Sequence, residues 1–264
     1  MSKKIALITG ASRGLGRALA VQLATQHIET ILVARNIVQL HETQNAIAAV
    51  GGTAHIYCCD LSQEEQRQNL LCDIEQNFTT LDIVIHNAAV LVSGPLTQIS
   101  PTAITGSITT NVIAAMELSR GFFDKVSKTK GTIAFIASTT SHVPMPHNSV
   151  YTTTKFALHG FARTLHYEAK QHGIHVFTTY PPAMYTEMTQ NMATAMKLKP
   201  QSFYDRDKAA RKIVCAILKR KAHLNFYTSE YALTILYKFF PRITTKILEL
   251  NRHKFAIAMK ENIK

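Results

Sequence analysis

Short apolar runs alternate with longer amphipathic segments along most of this 264-residue chain. The runs are rich in Val, Ile and Leu and show no apolar/polar alternation, a pattern typical of strands buried on both faces of a parallel sheet. The segments between them have the helical period. The sequence therefore predicts an α/β fold, a doubly wound parallel sheet of about seven strands with helices on both faces. Predicted strands are Ile5–Ile8, Thr30–Ala34, Ala54–Cys58, Leu81–His86, Thr132–Ala137 and His175–Tyr180, with a short seventh near 223–228.

The helices are predicted at Arg17–Gln26, Ile37–Val50, Gln63–Asn77, 102–127, 151–172 and near 205–221. A glycine-rich loop, Thr-Gly-Ala-Ser-Arg-Gly-Leu-Gly at 9–16, separates the first strand from the first helix. Glycines at such a turn let the backbone approach a pyrophosphate, which sits at the helix N-terminus. This order predicts a dinucleotide site on a Rossmann-like fold; a purely structural turn is the alternative.

The end of the second predicted strand indicates which dinucleotide binds. Proteins that bind NAD carry a carboxylate there for the ribose 2′-hydroxyl, whereas this chain has Ala34-Arg35-Asn36. The guanidinium groups of Arg35 and Arg13 favour a 2′-phosphate instead. The sequence therefore predicts NADP(H) as cofactor, and the alternative is that Arg35 is only a solvated strand-end residue.

Tyr151 and Lys155 lie four residues apart at the start of a predicted helix, which places both on one face. A phenol is a poor acid or base at neutral pH, and a nearby ammonium lowers its pKa by favouring the phenolate. Ser138 follows the fifth strand, at the sheet edge where ligands bind in such folds. Its hydroxyl is placed to hold a substrate carbonyl oxygen.

Five motifs in this order resemble the short-chain dehydrogenases/reductases of the Tyr-x-x-x-Lys type, and the resemblance covers residues 4 to about 190. It is carried by the loop at 9–16, Asp60-Leu61, the segment 86–89, Asn111, and Ser138 with Tyr151 and Lys155. The resemblance implies an NADP(H)-dependent oxidoreductase that interconverts a ketone or aldehyde and an alcohol. A non-catalytic NADPH-binding scaffold or sensor, attached to a membrane by its tail, is the alternative.

The resemblance also implies a role for each matching position. Tyr151 is the expected general acid/base, Lys155 holds the nicotinamide ribose and lowers the pKa of Tyr151, and Ser138 orients the substrate oxygen. Asn111 supports a water that joins Lys155 to a proton relay. The implied cofactor-binding residues are Gly10, Ser12, Arg13, Gly14, Leu15, Gly16, Arg35, Asp60 (adenine), Leu61, Asn87 (adenine ribose), Ala88, Tyr151, Lys155, Pro181 and Thr186 (carboxamide).

Three positions depart from the family pattern. His86 and Ala89 replace an Asn and a Gly of the Asn-Asn-Ala-Gly motif, where we expect them to tighten the sheet edge without touching the chemistry. Pro182 replaces the Gly of a Pro-Gly pair after the sixth strand. This substitution alters the loop that closes on the nicotinamide, which weakens the assignment of Thr186.

Residues 182–203 are predicted as a methionine-rich loop, in the region where family members carry a substrate-covering lid. Met184, Met188, Met192 and Met196 recur every fourth residue and would form one stripe on a helix. Flexible thioethers suit an adaptable apolar pocket, and ordinary packing against the body is the alternative. We therefore expect Met184, Met188, Met192 and His147 to contact an apolar substrate, such as a lipid-, acyl- or steroid-like carbonyl.

The net charge of +12 is concentrated at the end of the chain. Residues 1–196 carry 13 Lys/Arg and 12 Asp/Glu, whereas residues 197–264 carry 16 and 5. We expect residues 1–228 to form the catalytic domain and residues 229–264 a basic, apolar helical extension broken at Pro241. The extension fits peripheral contact with an anionic membrane, and a hairpin over the active site or a subunit interface is the alternative. No module that reads nucleic acid is visible.

The four cysteines form no CxxC pair and no Cys/His cluster with zinc-ligand spacing, so no metal site is expected. Their usage fits buried, reduced thiols. The apolar run near the N-terminus is too short for a signal peptide, and no segment is long enough to span a bilayer. We expect a cytoplasmic protein, peripheral to a membrane if the extension binds one. The resemblance implies a homo-oligomer, a dimer or tetramer paired through the helices at 102–127 and 151–172.

Overall fold

A computed structural model describes residues 3–259. Its centre is a seven-stranded parallel sheet with the order β3-β2-β1-β4-β5-β6-β7. The predicted doubly wound fold is confirmed, and the strand order reverses between β1 and β4. The strands are β1 (Ile5–Thr9), β2 (Glu29–Ala34), β3 (Ala54–Cys58), β4 (Ile83–His86), β5 (Thr132–Ile136), β6 (His175–Tyr180) and β7 (His223–Asn225).

Helices cover both faces of the sheet, which explains the continuous apolar runs. Leu7 and Ile8 are adjacent on β1, are both fully buried, and belong to different cores on opposite faces. One core includes residues of α1, α2 and α9, and the other residues of α3, α5 and α7. The helices are α1 (Gly14–Ala24), α2 (Ile37–Ala48), α3 (Glu64–Asn77), α4 (Pro101–Ile108), α5 (Ala114–Gly121), α6 (Phe123–Lys128), α7 (Ser149–Gln171), α8 (Glu187–Ala195), α9 (Arg206–Leu218), α10 (Ser229–Phe239), α11 (Pro241–Leu250) and α12 (Arg252–Met259).

The single long helix predicted at 102–127 is wrong in one respect. A π-helical turn, Thr109–Ile113, separates α4 from α5, and α6 follows as a further short helix. The turn contains the buried Asn111. π-helical turns are uncommon in proteins, but many of those that occur lie at functional sites. The apolar periodicity of this sequence gives no indication of one.

The methionine-rich segment is more ordered than the predicted loop. It contains α8 and a short 3₁₀ turn, Pro200–Ser202. Met184 and Met196 lie outside α8, so the four methionines do not form one helical stripe. Met184 instead makes a β-bridge with Tyr204. The side chain of Met192 lies outside the described part of the chain.

Two expectations about buried side chains need correction. His86 lies on the central strand, not at a sheet edge; it is buried, stacks on Phe135 and lies 2.9 Å from the hydroxyl of Ser119. Burial lowers the pKa of His86 to about 3. Of the four cysteines only Cys59 is buried, because the others lie at a strand end or on exposed helix faces.

The C-terminal extension forms three helices, of which α10 and α12 pack on the body. Pro241 begins α11, as predicted from its inability to continue a helix. α10 packs on the turn after β5 (Thr139–Ser141), and α12 packs on α8. Within residues 3–259, no helix has the length and apolar character needed to cross a bilayer.

Arg67 on α3 fastens the loop after β3 to α5. Its buried guanidinium donates to Glu117 through Nε at 2.6 Å and Nη2 at 3.3 Å, and to the backbone oxygen of Leu61 at 2.9 Å. We predict that Arg67→Met lowers the free energy of unfolding by about 2–3 kcal/mol, because charged hydrogen bonds are lost while the aliphatic stem is kept. Urea denaturation measures the change.

Arg17→Met is the matched control, since the Arg17–Glu42 pair is exposed and exposed pairs contribute at most about 1 kcal/mol. Equal changes in the two variants would contradict this role for Arg67.

Candidate active site

A cavity of about 920 Å³ lies at the carboxyl ends of the strands, beside the reversal of strand order. This volume is ordinary for a small-molecule site. Its wall combines the loops after β1, β4, β5 and β6 with α8 and α10. The structure brings together on it Gly10, Ser12, Arg13, Gly14, Leu15, Gly16, Arg35, Asp60, Leu61, Asn87, Ala88, Ser138, Tyr151, Lys155, Pro181, Thr186, Met184 and Met188.

The glycine-rich loop has the geometry of an anion cradle. Gly10 has φ +67°, and a Cβ there would lie 2.8 Å from the Cα of Ala88, so a side chain does not fit. α1 begins at Gly14, and no side chain caps its first N–H groups. Free N–H groups and the helix dipole at this point fit a pyrophosphate.

Hydrogen bonds fasten this loop to the segment after β4. The Thr9 hydroxyl accepts from the backbone N–H groups of Asn87 at 3.0 Å and Ala88 at 3.1 Å. The Asn87 amide donates to the backbone oxygens of Thr9 at 3.0 Å and Gly10 at 3.2 Å. Asn87 thus holds the loop in shape, a role that the sequence reasoning missed, as it missed Thr9.

Both arginines that are expected to bind the 2′-phosphate have an acidic partner in the structure. Arg13 forms an ion pair with Glu187 at the start of α8, and Arg35 lies 3.7 Å from Asp60. The Arg13 and Glu187 side chains are each about half exposed (52% and 51%), so water weakens their attraction. A phosphate can therefore replace Glu187 as the partner of Arg13 at little cost. The sequence gives no local signal for Glu187, which comes from a distant segment.

One part of the cavity wall is formed by Ser138, Tyr151 and Lys155. Ser138 begins the turn after β5, where its hydroxyl accepts the N–H of Thr140 at 3.2 Å. Tyr151 and Lys155 project from the first turns of α7, and the Lys155 Nζ lies 5.5 Å from the centre of the Tyr151 ring. Lys155 is buried and donates to the backbone oxygen of Ile136 at 3.0 Å.

The acidity of this set differs from the expectation. Burial raises the pKa of Tyr151 to about 12, although a hydrogen bond to Ser138 acts in the lowering direction. Burial lowers the pKa of Lys155 to about 8. The Tyr151 pKa therefore shifts upward and not downward as expected, because desolvation of the buried phenol is the largest effect on it. At neutral pH the phenol is protonated, the state needed to give a proton to a carbonyl oxygen.

Asn111 lies behind the site and does not line the cavity. Its amide exchanges hydrogen bonds with the backbone of Val90 at 2.8 and 2.9 Å and donates to the Thr154 hydroxyl at 3.0 Å. Thr154 precedes Lys155 on α7 and bonds to the Tyr151 backbone oxygen at 2.8 Å. Asn111 thus positions α7 and the loop after β4, and the water relay stays a prediction.

Part of the cavity wall is apolar. Met184 and Met188 belong to it, together with Val143, Met145, Leu233 and Phe255, and their contact with a substrate stays a prediction. His147 is not part of the cavity wall, although Met145 and Asn148 on either side are. His147 has φ +58°, and its backbone oxygen accepts the N–H of Gly94.

The extension contributes directly to the wall through Ser229, Glu230, Leu233, Thr234 and Phe255. This supports the hairpin over the active site that the sequence left as an alternative. Glu230 was missed because an isolated glutamate in a largely apolar and basic segment belongs to no recognisable motif.

Comparisons with known proteins agree with this geometry. A relative from Nostoc sp., a ketoacyl reductase, is 30% identical over 182 residues, which span 69% of this chain and 63% of that protein. A fatty acyl-CoA reductase of Acinetobacter baylyi is 29% identical over 255 residues, 96% of this chain and 85% of the relative. The crystal structure of a metagenomic short-chain oxidoreductase in complex with NADP superposes with a TM-score of 0.73 at 25% identity, covering 86% of this chain and 97% of the other.

The family model described as short chain dehydrogenase matches residues 4–197, nearly three quarters of the chain. That match ends just after α8, so it includes the glycine-rich loop, strands β1 to β6 and the residues on α7. The chain belongs to the short-chain dehydrogenase family.

Proposed function

We propose that this protein is an NADP(H)-dependent oxidoreductase that interconverts a carbonyl and an alcohol, with Tyr151 as the general acid/base. One observation carries the proposal. The protonated phenol of Tyr151, the Ser138 hydroxyl and the Lys155 ammonium converge on the same cavity that the glycine-rich loop lines. A nicotinamide bound there supplies or accepts the hydride at the carbonyl carbon.

The protein's own groups handle the oxygen and the proton. Ser138 donates a hydrogen bond that orients the carbonyl oxygen toward the cavity floor. Tyr151 gives its proton to that oxygen in reduction and takes one back in oxidation. The buried positive charge of Lys155 stabilises the phenolate left after proton transfer. Its burial in the wall excludes water, which strengthens that attraction.

Two observations support NADP(H) over NAD. No carboxylate stands at the end of β2, and both Arg13 and Arg35 line the cavity. Exchange of Glu187 for a phosphate gives Arg13 a partner of higher charge. The NADP complex of the metagenomic relative points in the same direction.

The substrate class follows from the wall and the relatives. Thioethers of Met184 and Met188 and the apolar side chains of Leu233 and Phe255 favour an apolar chain or ring system next to the reacting carbonyl. The relatives that act on ketoacyl and fatty acyl groups agree with a lipid-like or acyl substrate. A non-catalytic scaffold is not favoured, because it has no need of the Ser138, Tyr151 and Lys155 arrangement.

The domain division at 228 and a homo-oligomer are part of the proposal. Met116 on α5 and Phe156 and Tyr167 on α7 are exposed large side chains (43%, 42% and 70%), which fits a subunit interface through these helices. Light scattering measures the oligomeric state.

We also propose that the extension binds an anionic membrane surface. Ile243, Ile247 and Leu250 are 55%, 40% and 75% exposed and form one stripe on α11. A neighbouring side of the helix is buried through Thr244 and Leu248. α11 packs on α10 and α12, so one of its faces is buried while its apolar face stays open.

Aromatic and basic residues lie close to this face in the sequence. Phe239 and Phe240 extend it at the junction of α10 and α11 (65% and 55% exposed), and Lys238, Arg242 and Lys246 lie in the same two helices. Apolar area together with cations matches the surface of an anionic bilayer rather than a neutral one. An apolar substrate dissolved in that bilayer then lies close to the helices that line the cavity.

Removal of the catalytic proton donor tests the reaction. We predict that Tyr151→Phe lowers kcat for carbonyl reduction by at least about a hundredfold, because general acid catalysis contributes roughly that much or more. NADPH affinity, measured by fluorescence, should be unchanged. NADPH oxidation with a panel of apolar ketones and aldehydes measures turnover, and undiminished turnover in the variant would contradict the assignment.

The cofactor preference of two variants tests whether Arg13 and Arg35 bind the 2′-phosphate. Arg13→Ala and Arg35→Ala are each expected to raise the Kd for NADPH about tenfold, because a charge-assisted hydrogen bond is lost, and to leave the Kd for NADH nearly constant. Arg17→Ala is the control, since Arg17 lies on α1 and pairs with Glu42. Equal effects on NADPH and NADH would show that neither arginine recognises the 2′-phosphate.

Vesicle co-sedimentation tests the membrane surface. The full chain should bind vesicles that contain phosphatidylglycerol, bind pure phosphatidylcholine weakly, and be released by salt. The double variant Ile243→Asp/Ile247→Asp should lose about tenfold or more in partitioning, because each buried isoleucine contributes roughly 1.5–3 kcal/mol.

The matched control is Val38→Asp, an exposed apolar position on α2 (65%) far from the extension in sequence. Equal partitioning of the double variant and the control would remove the membrane proposal. A concentration-dependent dimer that the double variant alone loses would assign the face to a subunit interface instead.

A further inference from the structure

Glu230 is a carboxylate in the cavity wall for which the catalytic mechanism has no use. It lies in the first turn of α10, two residues after the N-cap residue Thr228. The Thr228 hydroxyl accepts the N–H of Tyr231. Its side chain lines the cavity, and burial raises its pKa. A carboxylate in such surroundings is costly unless it is hydrogen-bonded, so its partner identifies its role.

The partner is the backbone N–H of Ala183. That N–H lies 3.1 Å from one carboxylate oxygen of Glu230 and 3.3 Å from the other. Pro181 and Pro182 precede Ala183, and proline has no N–H. Ala183 therefore offers the first backbone donor after Tyr180, at the point where the chain leaves β6.

The loop is held at further points. The Ala183 backbone oxygen accepts the N–H of Tyr204 at 3.1 Å, so both polar groups of this residue are engaged by distant segments. The Met184 backbone oxygen accepts the Thr189 hydroxyl at 2.6 Å. Thr186, at the far end of the loop, lies against the glycine-rich loop. A Cβ built on Gly14 would be 3.6 Å from the methyl group of Thr186.

The loop from Pro181 to Thr186 thus joins the end of β6 to the glycine-rich loop along the cavity wall. We propose that Glu230 is a positioning residue that fixes this loop in the conformation that receives the nicotinamide end of NADP(H). The C-terminal extension is then part of the cofactor site as well as a cover over the substrate. This proposal rests on the proposed function and deepens it.

Pro182, which replaces the glycine of the family pattern, explains why the loop needs the hydrogen bond between Ala183 and Glu230. Proline fixes one backbone angle but removes a donor, so the loop relies on Ala183 for its anchor. An acceptor must come from outside the loop, and the first turn of α10 supplies one. A negative charge is also stable there because the helix dipole favours it.

Three full-length variants test the proposal. Glu230→Ala removes the acceptor, Glu230→Gln keeps an amide oxygen that accepts the same N–H, and Glu249→Ala removes an exposed carboxylate on α11. We expect Glu230→Ala to raise the Kd for NADPH about tenfold and Glu230→Gln and Glu249→Ala to stay within roughly threefold of wild type. NADPH fluorescence measures Kd, and thermal unfolding shows that each variant is folded.

Steady-state kinetics separate this role from simple stabilisation. A displaced loop raises the KM for NADPH, whereas a merely less stable but folded enzyme keeps it. Unchanged NADPH affinity in folded Glu230→Ala would overturn the proposal, and so would equal losses in the Ala and Gln variants. Because Kd is measured without turnover, failure to reduce any carbonyl contradicts the proposed reaction alone.

Hydrogen exchange keeps the proposal testable if Glu230→Ala does not fold. The Ala183 amide of the wild-type chain should exchange slowly without NADPH and more slowly with it. Fast exchange of this amide in both states would overturn the proposal.

Discussion

The site depends on one junction, the hydrogen-bonded contact between the loops after β1 and β4. Strand order reverses between these two strands, so their connections leave in opposite directions and open a cleft. Thr9 and Asn87 hold the cleft in shape by satisfying four hydrogen bonds across it. With that edge fixed, the cradle at α1, the turn carrying Ser138 and the helix carrying Tyr151 all face one volume.

Much of this was predictable because it depends on local patterns. Strands that are apolar on both faces need a layer of helices on each side of the sheet, and this requirement predicted the doubly wound fold. The loop at 9–16 and the spacing of Tyr151 and Lys155 are short-range signals that survive without knowledge of the fold. Pro241 ended a helix where its chemistry required.

What the sequence could not show comes from contacts between distant segments. Glu187 meets Arg13, and Glu230 meets Ala183, only after folding, and neither acid belongs to a motif. The pKa of Tyr151 likewise depends on how completely the finished cavity excludes water, which reversed the expected direction. The extension was correctly predicted to be helical, but only its packing shows that one face lines the cavity while another stays open.

In the proposed reaction, a cofactor and an apolar carbonyl meet above Tyr151 in one cavity. Transfer of the label from NADPH that carries deuterium at both C4 positions of the nicotinamide tests this claim most directly, with product alcohols analysed by mass spectrometry. We predict one deuterium on the carbon that had been the carbonyl of an apolar ketone or aldehyde. Binding of the labelled NADPH without deuterium in any product of a broad panel would contradict it.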